Sequence, residues 1–251
     1  MTDPVQARAQ PRRTFVIGAT AGLLPLLDAC SDPKVEVKDL KSALQIAYGQ
    51  KKFQEVLTLA QKGLELSSKV QGDKHPDTLY FAQSISEALE ELGNRKAAIG
   101  ALAREIKLRL AAGQSERKLQ SRRTLAIQFA EETGDKESAI MHAVAISRDL
   151  EMGPGKDPQP VYRPETKYPV SLFNQGIEGD VILEYGLDET GAVIRPRVVK
   201  STNAGFESAA LESFKSWRFT PMLNGGQPVD SSGHQFTLMF RRGGRTTAPK
   251  N

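Results

Sequence analysis

The sequence predicts a multidomain chain: an all-α helical repeat followed by a small α+β domain of order β-β-α-β. Three observations predict it. Small apolar residues recur at Val56, Ala98 and Ala139, spaced 42 and 41 residues apart. A stretch dense in Pro and Gly, Gly153 to Pro160, then interrupts any helix. Beyond it come two apolar alternations, a helical stripe and a third alternation. The 251 residues allow a core in each part, and 39% apolar with 25% charged residues is a globular composition.

The first thirty residues predict an address. Arg12-Arg13 precede 14 uncharged residues, Thr14 to Leu27, which Asp28 stops. A membrane-spanning helix needs about 20 apolar residues. A basic start, a short apolar stretch and a small residue before a cleavage point predict a secretory signal over 1–30. Leu27-Asp28-Ala29-Cys30 resembles a bacterial lipobox, with Asp28 where that pattern has a small residue. The resemblance implies lipid attachment at Cys30 and, with Ser31 next, a periplasmic protein anchored to the outer membrane. An uncleaved N-terminus held in the inner membrane is the alternative. Pro11 to Val16 resembles a twin-arginine export motif, and general or twin-arginine export both stay open. Residues 31–38 are expected to be a tether.

Helical repeats are expected over 39–152. Ala60, Leu102 and Ala143 follow the recurring small positions by four residues, so two helices can approach closely at each. Gly93 and Gly134 suit helix ends with positive φ, while Lys51 stands at the equivalent place in the first repeat. Amphipathic stripes flank each turn: Leu40, Leu44 and Ala47 before the first, Val56, Leu59 and Leu64 after it. The pattern resembles the tetratricopeptide repeat. Gly72 to Leu79 resembles the linker and helix start of the kinesin-light-chain type, whose period is longer than usual. His75-Pro76 is read as helix entry. Arg122-Arg123 and Glu131-Glu132 are read as solvated helix faces. The resemblance implies protein or peptide binding on a concave face.

A Pro/Gly linker is expected over 153–165, short enough to hold the two parts close. Val181, Leu183, Tyr185 and Leu187 alternate on one strand face, and Asp188 to Gly191 forms a hairpin turn. The returning strand runs through Val193 to Val199, with Pro196 at an edge or bulge. Phe206, Ala210, Phe214 and Trp217 make a helical stripe, and Phe236, Leu238 and Phe240 the core face of a last strand. The domain is expected over 166–242, with a disordered tail at 243–251.

Several of these residues stand in an order that resembles the TonB C-terminal domain. They are Tyr168-Pro169, Gly176 and Gly179, the turn ending at Gly191, and Trp217-Arg218-Phe219-Thr220-Pro221. Their own chemistry is structural: aromatic core packing and backbone geometry at glycine. The resemblance implies strand addition, in which an extended segment of an outer-membrane transporter pairs with the edge of the last strand. Carried over, the edge is Gln235 to Phe240, with Gln235, Thr237 and Met239 facing outward.

The remaining features exclude other classes. The net charge of +4 is spread along the chain with no basic patch, so nucleic acid is not an expected partner. Cys30 is the only cysteine, and His75, His142 and His234 have no ligand spacing, so no metal or cofactor is expected. No nucleophile elbow or phosphate loop occurs, so no catalytic residue is named. The sequence therefore predicts a noncatalytic envelope binding protein linked to TonB-type transport. An energy transducer driven by an inner-membrane proton-motive complex is the alternative, and an enzyme the least favoured reading.

Overall fold

The computed structural model describes residues 32–242. The expectations for Cys30, the signal segment 1–30 and the tail 243–251 lie outside the described residues. Six helices form three antiparallel hairpins: α1 (Pro33–Gly49) with α2 (Phe53–Gln71), α3 (Pro76–Glu91) with α4 (Arg95–Ala111), and α5 (Glu116–Thr133) with α6 (Lys136–Asp149). Each packs on the next in chain order. Val56, Ala98, Ala139, Ala60, Leu102 and Ala143 are all fully buried, as the spacing requires. Gly93 and Gly134 end their helices at φ of 69° and 77°, and Lys51 takes φ 54° at the same place. The first hairpin thus keeps the turn of its neighbours with a side chain that costs roughly 1 kcal/mol there. His75 caps α3, its Nδ1 accepting the Asp77 N–H at 3.2 Å, and Pro76 opens the helix.

Two expectations change here. Helix α1 begins at Pro33, inside the segment 31–38 expected to be a tether, because Val37 reaches the helical core. Of the charge pairs read as solvated faces, Glu132 is exposed, but Arg123 is buried and Arg122 and Glu131 are half-buried. Arg123 is 7% exposed and donates to Glu116 at 2.8 and 2.9 Å. Arg122 bridges Glu87 at 2.9 Å and the fully buried Glu105 at 3.3 Å, and Glu105 also accepts from Ser86 and Arg109. A buried carboxylate persists only with such partners. Burial first, and the Arg123 guanidinium second, hold the His142 pKa down at about 4.

The sheet region contains β1 (Pro160–Tyr162), α7 (Val170–Asn174), β2 (Gly179–Leu187), β3 (Val193–Ser201), α8 (Glu207–Phe214), β4 (Arg218–Phe219), β5 (Met222–Asn224), β6 (Gln227–Val229) and β7 (Ser231–Phe240). The expected β-β-α-β is β2-β3-α8-β7, and its three strands form an antiparallel sheet in the order β3-β2-β7. Its core is the predicted one: Val181, Leu183, Tyr185, Leu187, Phe206, Ala210, Phe214, Trp217, Leu238 and Phe240. Phe219 joins them. Strands β1, β4, β5 and β6 were not predicted. They pair as β1–β4 and β5–β6 and are only two or three residues long, too short to show a period.

These short pairs correct the reading of 153–165 as a mere linker. A Pro/Gly segment without a helix still needs partners for its backbone groups. The Gln159 N–H donates to Thr220 Oγ1 at 2.9 Å, and the Thr220 N–H donates back to the Gln159 carbonyl at 2.8 Å. Val161 is buried in the helical core, and the Leu223 N–H reaches the Met152 carbonyl. Helical and sheet regions therefore form one compact unit.

Candidate partner-binding edge

Strand β7 pairs with β2 on one side only, and among the described residues no strand pairs with its other side. Which backbone groups face that open side follows from one residue. Asp180 turns both its N–H and its carbonyl toward Thr202, at 2.8 and 3.0 Å, on the β3 side of β2. Its partner across the other ladder is Met239, and the register then runs unbroken through Ile182↔Thr237 and Glu184↔Gln235. Backbone direction alternates along an antiparallel ladder. Residues 235, 237 and 239 therefore turn their N–H and C=O groups to the open edge, while 236, 238 and 240 bond to β2.

Side chains alternate with the same period. Gln235 is exposed and Thr237 and Met239 are half-buried, whereas Leu238 and Phe240 are buried. The three residues singled out in the sequence thus carry both the outward backbone groups and the solvent-facing side chains. No Asp, Glu, Lys or Arg occurs from Ser231 to Phe240, and burial lowers the pKa of His234. At the far end Arg241 pairs with Asp180 at 2.6 Å, and the Arg242 N–H donates to Glu178 at 2.7 Å.

The other motif residues support this edge from behind. Tyr168 donates to the Ile177 carbonyl at 2.7 Å and meets Phe206 and Phe240 edge-on, and Pro169 precedes α7. Gly176 ends α7 at φ 70°. A side chain at Gly179 would overlap Thr202 and Phe206. Gly191 has φ 80° and lies against the Phe219 carbonyl, so no other residue fits there. Trp217 packs edge-on against Phe236 of β7 at 5.2 Å, Phe219 lies behind both, and Pro221 is buried beside them in the chain. Arg218 is 7% exposed, pairs with Glu131 of α5 and donates to the Thr190 carbonyl at 2.7 Å. Sequence reasoning named Arg218 as a motif residue but read its partner Glu131, 87 residues away, as part of a solvated helix face. It also missed Arg163, whose guanidinium lies 5.8 Å over the Trp217 ring.

The fold is an all-α repeat followed by a small α+β domain of the TonB C-terminal type. Residues 164–241 match the family model described as the Gram-negative bacterial TonB protein C-terminal. A Protein TonB of Vibrio cholerae serotype O1 is 35% identical over 66 residues, 26% of this chain and 27% of that protein. A Protein TonB of Yersinia enterocolitica is 28% identical over 90 residues, 36% of this chain and 32% of that protein. The chain thus spans about a third or less of these relatives. The solution structure of the Pseudomonas aeruginosa TonB CTD covers 38% of this chain and 97% of its own, with 25% identity and a TM-score of 0.31. A Podosopora anserina kinesin light chain with TPR-like repeats covers 59% and 65%, with 14% identity and a TM-score of 0.35. The assignment of the sheet region rests on the sequence match. Among the described residues no helix is long and apolar enough to cross a membrane.

Proposed function

We propose that this is a noncatalytic protein of the Gram-negative cell envelope, acting in TonB-linked transport across the outer membrane. It receives an extended segment of a protein partner, such as an outer-membrane transporter, at the open edge of β7, and its helical repeats offer a second binding surface. Secretion through residues 1–30 and lipidation of Cys30 would anchor it to the outer membrane from the periplasm.

The observation that carries this reading is the row of outward N–H and C=O groups at Gln235, Thr237 and Met239 on an uncharged strand. Such a row is a template for a further strand, with backbone bonds for affinity and alternating side chains for specificity. The test is Thr237→Pro, which removes an outward N–H while leaving the β2 ladder whole. Pull-down from envelope extract, with a melting curve alongside, should show partners lost from a folded protein. A folded variant that keeps every partner overturns the reading. The similarity to proteins named TonB favours energy transduction as a second reading. Mass spectrometry of the purified N-terminus separates them: a diacylglyceryl-modified Cys30 supports the anchored binder, an intact N-terminus in the inner membrane the transducer.

A further inference from the structure

Trp217, which packs on Phe236 of β7, lines a cavity of about 910 Å3. One wall is α5, through Thr124, Gln128 and Glu132, and the other is the chain from Pro160 to Thr166, with Trp217 between them. Thr124, Gln128 and Glu132 are four residues apart, so they form one stripe on the helix. A second cavity of about 700 Å3 continues past Thr124, Pro160 and Val161. Trp217 ties this space to β7, because the ring that lines it also packs on Phe236. Phe236 stands between Gln235 and Thr237, the outward-facing positions.

The geometry points to a shared reading of one partner. Resting on strand addition at β7, we infer that the segment paired there continues past Trp217 into the cavity along α5, where the helical repeat recognises its flanking residues. The occupant is an extended polypeptide, since the edge offers backbone groups, and its flank is polar, since the exposed Thr124, Gln128, Glu132 and Arg163 line the cavity. A segment pairing antiparallel to β7 would send its C-terminal residues this way, because Phe236 lies at the N-terminal end of the outward row formed by Gln235, Thr237 and Met239.

The probe is a displayed library of random peptides of about 14 residues, long enough to cover the edge and go on. Selected peptides are bound to purified protein carrying a photo-crosslinking amino acid at position 128 or at position 237. The expected result is that one peptide crosslinks at both, through different residues. Crosslinks at 237 alone overturn this inference and leave strand addition standing. Crosslinks at 128 alone, or at neither, overturn strand addition and this inference with it. As a second readout, Gln128→Trp fills the cavity from an exposed helix position. It should weaken the full peptides about tenfold and leave a core of about six residues unaffected. Equal affinity for both proteins overturns the inference.

Discussion

Strands β3 and β7 flank the same central strand and are built in opposite ways. β3 carries Arg195, Pro196, Arg197 and Lys200, holds Arg195 at φ 49°, and shifts register twice against β2. Charge, proline and bulges are the usual protections against further pairing. β7 has neither proline nor formal charge over ten residues, and its pairing with β2 is regular from His234 to Phe240. Protection on one edge and its absence on the other make β7, not β3, the edge that the proposed strand addition would use. Exposure alone would not have said so, since both are edges.

The comparison breaks most readily at the backbone. Leu238→Pro deletes an N–H that bonds to β2 and should cost about 1–3 kcal/mol, read as a lowered melting transition. Thr237→Pro, one residue away, should leave that transition nearly in place. Equal damage from both would show that the outward assignment of Thr237 is wrong.

Acid loosens the helical region through His142, and His234 on β7, whose pKa burial also lowers, adds to the effect in the same direction. An unfolded histidine binds a proton below about 6.5, the buried His142 only below about 4, so the unfolded state takes up more protons between these values. Stability should therefore fall as pH drops through that window, by about 2 kcal/mol between pH 7 and 5. Denaturant titration at the two pH values measures it, and His142→Gln should remove most of the slope, leaving the smaller part due to His234.

Thr237→Pro should lower partner affinity about tenfold or more, the loss of one ladder bond plus a kink. Pro196→Val should act in the reverse sense on β3, with weak, concentration-dependent self-association in sedimentation. Thr237→Ala and Met239→Ala should be mildest, shifting preference among partners by less than about threefold. A larger loss from either would place the affinity in side chains rather than in the edge.

What could be read in the sequence was periodic. The interval linking Val56, Ala98 and Ala139 exposes the hairpins because each repeat solves the same packing problem. The alternation from Val181 to Leu187 exposes β2 because one face is core. The outward triple Gln235, Thr237 and Met239 follows from the same alternation. Contacts between distant residues leave no period. Arg218 with Glu131, and Gln159 with Thr220, join segments 87 and 61 residues apart, and each residue looks like ordinary surface or loop. Arg122 and Arg123 misled for a related reason, since charge between stacked hairpins is patterned like charge facing water. Lys51 hid a left-handed turn that glycine announces in the other two repeats.

The stitch between Gln159 and Thr220 also sets an order of events during synthesis. The helical hairpins rest on contacts close in sequence and can form as they leave the ribosome. The outer face of the last hairpin cannot be finished then. Leu223, which bonds to the Met152 carbonyl, and β4, which holds β1 against α5, are made only after the whole β2-β3-α8 segment. Until they arrive the nascent chain presents Val161 and Met152 to solvent, both buried in the finished protein. That interval is where a chaperone would find this protein, and a stall between residues 162 and 218 would leave it there.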